Sequence, residues 1–341
     1  MNILVEINHP AHFHFFKNPI NKLSESHQVF IVARDKDITL ELLNSSNLSY
    51  EVLSSQKSGL GIISEFFSRA FKLYKMMVKN KIEMILSIGG TFNVHVSKLL
   101  DIPSLVFTDT DNAPFSNAIT FPFAKNVVTP TSFIHDLGSK HIKYEGHHEL
   151  SYLQSNYFVP NLEINRKLGL SIDKKYAIIR LISWSAVHDV GFSGISDELL
   201  TKIIKIISKK FHVLISSESP LPKKFKKYKL RTDSNLIHHI LYNSELYIGE
   251  SPTMAIESAL LGTPSFGVSS WAYNSGVFKE LSELGLISRY HSADTSLIIE
   301  ELENFVCKYN SNTRKQYRDR AERYVSEKAD ISSLISGLVG T

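Results

Sequence analysis

Short apolar runs of strand length alternate along this chain with longer segments of helical period. This alternation is typical of βαβ units, in which neighbouring strands are parallel and helices cover the sheet. The predicted strands are 3–7, 29–33, 84–88, 104–108, 126–129, 176–181, 211–216, 246–248 and 265–267. The predicted helices are 16–24, 38–44, 62–79, 92–100, 197–209, 237–242, 253–261, 297–309 and 313–326. The pattern therefore predicts an α/β protein built from doubly wound, Rossmann-like sheets.

The chain divides into two such halves. The βαβ rhythm stops between residues 150 and 173 and then restarts, and 341 residues suit two domains at roughly 150 residues each. We predict an N-terminal Rossmann-like domain over 1–155 and a C-terminal one over 156–341, and we allow for a last helix that packs back on the first domain. Ligands of open α/β sheets bind beyond the carboxyl ends of the strands. We therefore expect the two domains to face each other across a cleft lined by the functional residues.

Composition excludes several classes of protein. Cys307 is the only cysteine, which excludes internal disulfides and cysteine-based zinc or iron–sulfur clusters and fits a reducing compartment. A formal net charge of +4 is too small to indicate nucleic-acid binding. The first residues do not form a signal peptide, and no run of about 18 apolar residues could span a membrane. The composition therefore predicts a cytoplasmic protein.

The segment from Ile248 to Pro264 predicts a strand that ends in a glycine turn, followed by a helix and a Gly-x-Pro stop. The start of such a helix gathers unpaired N–H groups and the positive end of the peptide dipoles, so it can bind a phosphate without a metal. Glu257 follows about one turn further in, within reach of a ribose attached to that phosphate. We interpret the segment as a nucleotide-diphosphate site; a capped helix with a solvated Glu257 is the alternative. The predicted ligands are Ser251, Pro252, Thr253, Met254 and Glu257.

A second group of candidate residues follows two strands of the C-terminal half. Arginine, serine, tryptophan and histidine side chains there can bind a phosphate or a nucleobase. The predicted nucleotide ligands of this group are Arg180, Ser183, Trp184, His188, Ser217 and Glu218. The alternatives are a structural ion pair between Arg180 and Asp189 with Trp184 in the core, and a simple turn at Ser217 and Glu218.

Three histidines, His9, His12 and His14, follow the first predicted strand. An imidazole at a strand-to-helix turn can accept or donate a proton near neutral pH. Their spacing does not match a helical zinc pair, and no carboxylate or cysteine follows at ligand spacing, so no metal is predicted. We predict that His12 is catalytic, with His9 as a second catalytic candidate and His14 on the acceptor side; a polar helix start is the alternative.

Two further turns follow predicted strands of the first half. Gly89-Gly90-Thr91 lets a ligand come close to the backbone because glycine has no side chain. Asp109 and Asp111 follow the next strand, and either could act as a general base toward an acceptor hydroxyl or orient sugar hydroxyls. Helix capping without chemistry is the alternative for both carboxylates. Nothing else in the sequence would complete a divalent-ion site around them.

Together these motifs resemble the bacterial and archaeal family called domain of unknown function 354, over nearly the whole chain. That family is similar to the GT-B superfamily of glycosyltransferases and nucleotide-sugar 2-epimerases. The motifs that show the resemblance are 9–16, 89–91, 107–110, 144–146 with 149–153, 184–191 and 251–257. Several motifs in one order are specific for the family, but they do not identify its reaction.

The resemblance implies a donor nucleotide held by the C-terminal half, an acceptor held by the N-terminal half, and no need for a metal or other cofactor. The turn that contains His12 resembles the Gly-Gly-His turn of the N-acetylglucosaminyltransferase that makes the lipid-linked peptidoglycan precursor, with Pro10 and Ala11 in place of the two glycines. The Arg-Pro-Glu turn expected of non-hydrolysing UDP-N-acetylglucosamine 2-epimerases is absent. Asp109 and its two threonine neighbours stand near the glutamate of those enzymes, which argues against epimerisation.

The leading hypothesis is a metal-independent glycosyltransferase that moves a sugar from a nucleotide-diphosphate donor to a hydroxyl of a surface polysaccharide or a lipid-linked glycan precursor. His12, Asp109 or Asp111 would deprotonate the acceptor, while Arg180, His188 and the helix start would stabilise charge on the leaving phosphate. An epimerase or hydrolase of the same fold, and a nucleotide-binding protein without catalysis, are the alternatives.

Residues 62–81 interleave apolar side chains with Arg69 and lysines. An amphipathic basic helix of this kind could lie on the inner face of an anionic cell membrane and meet a lipid-linked acceptor. A sheet-covering helix with solvated lysines is the alternative.

Overall fold

The computed structural model describes residues 1–57, 59, 61–183, 194–270 and 272–340. Contacts between Cα atoms divide the chain into two compact units, Met1–Tyr157 with Lys328–Thr341, and Phe158–Glu327. Each unit is built around a parallel sheet. The prediction of an α/β protein with two doubly wound sheets is confirmed.

The strands of the first unit are β1 (Asn2–Ile7), β2 (Gln28–Asp35), β3 (Glu51–Ser55), β4 (Met84–Ile88), β5 (Ser104–Phe107), β6 (Asn126–Pro130) and β7 (His141–Tyr144). Its helices are α1 (Pro10–Leu23), α2 (Thr39–Asn44), α3 (Gly61–Lys79), α4 (Val94–Leu99), α5 (Pro114–Thr120), α6 (Leu150–Leu153) and, at the end of the chain, α14 (Ile331–Val339). The strand order is β3-β2-β1-β4-β5-β6-β7, and every pair is parallel.

The strands of the second unit are β8 (Tyr176–Leu181), β9 (His212–Ser217), β10 (Leu246–Gly249), β11 (Ser265–Val268) and β12 (Ile287–Tyr290). Its helices are α7 (Ile164–Lys167), α8 (Asp197–Ile207), α9 (Ile237–Asn243), α10 (Pro252–Leu260), α11 (Gly276–Glu283), α12 (Thr295–Lys308) and α13 (Ser311–Ser326). The strand order is β12-β11-β10-β8-β9, again parallel throughout.

The inner strands form the core of each unit. Ile3, Leu4 and Val5 of β1 are fully buried, as are Ile178 and Ile179 of β8. A parallel sheet carries helices on both faces, so both faces of its inner strands are buried. Such strands are continuous apolar runs in the sequence, which explains why each of them was predicted.

The strands that were not predicted, β3, β7 and β12, lie at sheet edges. They are short and partly exposed, so they lack a continuous apolar run. The helices α5, α6, α7, α11 and α14 were also not predicted. In addition, α1 begins at Pro10, well before the predicted start at residue 16, because His9 caps it and proline suits the first helical position.

The end of the chain belongs to the first unit. The Tyr157 hydroxyl donates to the Asp330 carboxylate at 2.9 Å, and the Gln154 side chain donates to the carbonyl of Ala329 at 3.1 Å. Beyond these bonds, α14 packs against α1 and α6. The first unit is therefore discontinuous in sequence.

Candidate active site

Four strands of the first unit are followed by candidate residues. His12 follows β1, Gly89 and Gly90 follow β4, Asp109 follows β5 and His148 follows β7. Because the strands are parallel, their carboxyl ends lie at the same edge of the sheet, where ligands of this fold bind. This edge is the candidate catalytic side of the first unit.

Two histidines at the start of α1 accept hydrogen bonds from backbone amides. Nδ1 of His9, the capping residue, accepts from the Ala11 amide at 3.2 Å. Nδ1 of His12 accepts from the Asn8 amide at 3.3 Å. An amide N–H can donate only to an unprotonated ring nitrogen, so neutral His12 carries its proton on Nε2. In this geometry His12 is a hydrogen-bond donor through Nε2.

His12 is neutral at pH 7. Burial lowers its pKa well below the ordinary value of 6.5, and the charges of His9, His148 and Lys36 lower the pKa further. The side chain of His9 is 43% exposed, and its Nε2 lies 3.9 Å from the carboxylate of Asp37. The two predicted catalytic histidines therefore differ: His12 is a neutral donor, and His9 faces an acidic side chain.

Asp109 is a partly accessible carboxylate of this edge, with 26% of its side chain exposed. The Thr110 hydroxyl donates to its Oδ1 at 3.2 Å, and Nδ1 of His148 lies 3.5 Å from its Oδ2. His148 is buried and packs against Phe15, with 4.6 Å between ring centroids. Burial lowers the pKa of His148, although the Asp109 charge raises it. Thr110 and His148 thus hold Asp109 in one orientation while leaving it open to a ligand.

Asp111, the second predicted carboxylate, is in a different environment. It is only 4% exposed, and its Oδ1 accepts from the Ile134 amide at 3.4 Å. The ring of His135 is 3.1 Å from its carbonyl oxygen. Asp111 therefore connects the loop after β5 to the loop after β6, and Asp109 is the better placed of the two to meet a substrate.

The Gly89-Gly90 turn has both residues in the left-handed region, at φ +72° and +65°. A Cβ atom at Gly90 would lie 2.8 Å from Cγ2 of Val106, whereas a Cβ at Gly89 would have no atom within 4 Å. The packing around position 90 therefore leaves no room for a side chain, whereas Gly89 borders open space in which a ligand could approach the backbone.

Two predicted acceptor residues contact neighbouring helices. The Thr91 hydroxyl lies 3.1 Å from that of Ser116 and 3.3 Å from that of Thr120, both on α5. The ring of His14 lies 5.3 Å from that of Tyr152 on α6. Both side chains thus take part in packing at this edge of the unit.

Sequence reasoning missed the residues that follow β7. His147 and His148 were not predicted because β7 was not recognised as a strand, and a strand at this position would have drawn attention to the residues after it. Burial and the charge of Lys328 lower the pKa of His147 to about 3. The hydroxyl of Tyr144, at the end of β7, is also buried, and its burial raises its pKa. This corner of the site is therefore poorly solvated.

A buried ionic network beneath the His12 turn was also missed. Glu6 and Arg69 are fully buried and form an ion pair of 2.7 Å. Arg69 also donates to the side chain of Asn8, and the backbone amide of Asn8 donates to His12. Asn93 donates to Glu6. The network supports the backbone that orients His12. Its signal in the sequence was a glutamate inside the apolar run of β1.

In the second unit, α10 begins directly after β10. The Ser251 hydroxyl accepts from the Met254 amide at 3.4 Å, and Pro252 occupies the first helical position. The amide of Thr253 has no acceptor among the described residues, and Ser251, Pro252 and Thr253 are half-buried. The helix start therefore offers an N–H group and the positive end of its dipole to an anion.

Two carboxylates near this helix start are buried. Oε1 of Glu257 lies 3.0 Å from Nε2 of His238, so the predicted ribose ligand already has a protein partner. Glu250, which was not predicted as a site residue, accepts from the Ile182 amide at 2.8 Å and from the Ile195 amide. Glu250 therefore binds the backbone at two separate points of the chain, Ile182 and Ile195.

Arg180, Ser183 and Glu218 meet at the ends of β8 and β9. The guanidinium of Arg180 lies 2.5 Å from Oε1 of Glu218, and the amide and hydroxyl of Ser183 donate to Oε2 at 2.8 and 3.0 Å. The Ser217 hydroxyl donates to the carbonyl of Ser219 at 2.7 Å. Among the described residues, Glu218 therefore forms an ion pair with Arg180. Outside the described residues lie Trp184, His188 and Asp189.

In the described ranges, no group of three or more His, Cys, Asp or Glu side chains is placed to hold a metal ion. Across those same residues, no helix has the length and hydropathy needed to cross a bilayer.

Two Rossmann-like units with polar residues at the carboxyl ends of their sheets define a protein of the GT-B fold. Solved structures of this fold match nearly all of the chain. The UDP-GlcNAc 2-epimerase from Methanocaldococcus jannaschii has a TM-score of 0.64 and 15% identity, over 96% of this chain and 99% of that one. The Neisseria meningitidis UDP-GlcNAc 2-epimerase bound to UDP-GlcNAc has a TM-score of 0.68 and 12% identity, over 100% of both chains. Spinosyn rhamnosyltransferase SpnG has a TM-score of 0.65 and 12% identity, over 99% of this chain and 100% of that one.

The family described as protein of unknown function DUF354 matches residues 1–328. The chain belongs to this family, and the resemblance inferred from its motifs is confirmed. One relative, an uncharacterized protein of Methanocaldococcus jannaschii, is 23% identical over 280 residues, which are 78% of this chain and 81% of that protein.

Proposed function

We propose that this protein is a glycosyltransferase that moves a sugar from a nucleotide-diphosphate donor to an acceptor hydroxyl, without a metal or other cofactor. The observation that supports this most is the accessible carboxylate of Asp109, held by Thr110 and His148 at the same sheet edge as neutral His12. Among proteins of this fold, two epimerases are solved with UDP-GlcNAc and SpnG with thymidine diphosphate. These ligands support a nucleotide sugar as the donor.

In this proposal, Asp109 takes the proton of the acceptor hydroxyl as that oxygen bonds to the anomeric carbon. The bond from the anomeric carbon to the phosphate oxygen breaks, and its electron pair leaves with the nucleoside diphosphate. The Thr253 N–H at the start of α10 and the guanidinium of Arg180 stabilise the charge that develops there. His12 donates from Nε2 to a hydroxyl of the acceptor or the sugar, which orients it.

The proposed acceptor is a surface polysaccharide or a lipid-linked glycan precursor, met on the cytoplasmic side of the cell membrane. The absence of the Arg-Pro-Glu turn after β1 supports transfer over epimerisation. The solved epimerases of this fold support the alternative, a nucleotide-sugar 2-epimerase.

The test is to incubate the purified protein with UDP-linked and TDP-linked sugars, with and without glycan acceptors, and to follow nucleotide release and sugar products by mass spectrometry and NMR. Transfer predicts nucleotide release that requires an acceptor and is unchanged by EDTA. A new epimer of the donor formed without acceptor would establish the epimerase, and free sugar formed without acceptor would establish a hydrolase. Donor binding with no turnover would establish a nucleotide-binding protein without catalysis. If no nucleotide raised the melting temperature, the donor assignment would be contradicted.

A further inference from the structure

Helix α3 exposes an apolar stripe to solvent. The five side chains that form it are 39% to 68% exposed, and they follow one another at intervals of four, four, three and four residues. At 3.6 residues per turn, these positions lie on one face of the helix over about 22 Å. The stripe consists of Ile63, Phe67, Phe71, Tyr74 and Val78. Single exposed apolar residues are ordinary, but a continuous row marks a contact surface.

The opposite face of α3 is buried and contains charged residues. Glu65 and Arg69 lie there with Leu73 and Met76. Glu65 accepts two hydrogen bonds from Arg34, at 2.7 and 2.8 Å. The assignment of Arg69 to an exposed basic face was therefore wrong. Since the inward face already has its polar and apolar partners, the outward apolar stripe is not needed to cover the sheet.

Lysines run along one side of the stripe. Lys75 and Lys79 are exposed, and Nζ of Lys75 lies 4.3 Å from the centre of the Phe71 ring. Nζ of Lys72 instead donates to the carbonyl of Leu53 at 2.9 Å. The only carboxylate in the sequence of α3 is the buried Glu65. The exposed face therefore combines apolar side chains with positive charge and has no acidic residue of its own.

We propose that this face of α3, comprising the stripe with Lys75 and Lys79, binds the surface of an anionic phospholipid bilayer. The apolar side chains enter the boundary of the acyl chains, and the lysines bind lipid phosphates. A lipid phosphate is complementary in charge to these lysines, whereas a second copy of the chain would present the same positive charge. The surface contains none of the candidate active-site residues, so the inference does not depend on the proposed reaction.

The experiment is co-sedimentation of the full chain with vesicles of pure phosphatidylcholine and of equal parts phosphatidylcholine and phosphatidylglycerol. We expect binding to the anionic vesicles that weakens as salt is raised. The double variant Phe67→Ser/Phe71→Ser should lose about tenfold in partition per phenylalanine, which is the order of magnitude for burying part of an aromatic side chain. Lys75→Glu/Lys79→Glu should bind only weakly to the anionic vesicles.

The matched control is Val159→Ser/Leu162→Ser, which removes two exposed apolar side chains from the second unit and should bind as the wild type does. Because every substituted residue is exposed, the melting temperatures should be unchanged, and this measurement confirms that each variant is folded. Equal binding to both kinds of vesicle, or wild-type binding by the phenylalanine variant, would overturn the proposal. So would a wild-type dimer in sedimentation velocity that the phenylalanine variant converts to a monomer.

Discussion

Substitution of the two neighbouring glycines after β4 by alanine should have unequal effects on stability. Both residues have positive φ, so alanine at either site incurs the left-handed cost of about 1–2 kcal/mol. At Gly90 the new Cβ would also lie 2.8 Å from Cγ2 of Val106, 3.1 Å from Cγ1 of Val94 and 3.2 Å from the Ser87 hydroxyl. These atoms are buried, and overpacking of this kind costs about 1–3 kcal/mol more.

The assay is thermal and urea unfolding of Gly89→Ala and Gly90→Ala beside the wild type. Since 1 kcal/mol shifts the melting temperature of a domain of this size by about 2–4 °C, Gly90→Ala should melt on the order of 5 °C below Gly89→Ala. Equal melting temperatures would refute the argument, because the two sites share the backbone cost and differ only in packing. A second readout concerns function: if a ligand approaches the turn, Gly89→Ala should lose activity although it is the more stable variant.

Four further predictions concern residues of the first unit. Asp109→Asn should lower kcat by about 10²–10⁴-fold, the usual range for a general base, with unchanged thermal stabilisation by the donor nucleotide; an unchanged kcat would remove Asp109 from the mechanism. The pKa of His147 is lowered from 6.5 to about 3. As pH falls, this histidine takes up a proton in the unfolded state before it does so in the folded state, so the free energy of unfolding should decrease from pH 6.5 toward pH 3. His147→Gln should flatten that fall, and an identical pH profile would contradict the buried neutral imidazole. Arg69→Met should cost about 3–5 kcal/mol because it leaves Glu6 charged and buried, and Glu6→Gln/Arg69→Met should recover part of this loss in urea unfolding; an additive double variant would show that the pair is not coupled.

In the proposed mechanism, His148 acts through Asp109 and is a positioning residue. Its Nδ1 lies beside Oδ2 of Asp109, while its Nε2 is buried with no hydrogen-bond partner among the described residues. Replacement of His148 should therefore reduce kcat more than it changes KM for the acceptor. A change confined to stability would assign it to packing against Phe15 alone.

The parts of the site that could be predicted are those set by local sequence. The start of α10 was predicted because a capping serine, a proline and a preceding glycine lie within a few residues of each other. Asp109 was predicted because it directly follows a buried strand. In each case the signal and the structure that it specifies lie in the same short segment.

The parts that could not be predicted depend on partners far apart in the chain. Arg69 pairs with Glu6 across 63 residues, and Arg180 pairs with Glu218 across 38. An isolated arginine in a helix or strand looks the same in the sequence whether it is solvated or paired. This is why Arg69 was assigned to the wrong face of α3.

The sequence by itself determined the class of fold, the inner strands of both sheets, the turns that end them and membership of the family. These features follow from apolar periodicity and local backbone preferences, which are properties of neighbouring residues. Only the tertiary structure decided which carboxylate stays accessible, which histidine nitrogen keeps its proton, and which side of α3 is apolar and exposed. Those properties depend on desolvation and on hydrogen bonds between distant segments, and they arise only when the parallel sheet brings its strand ends together.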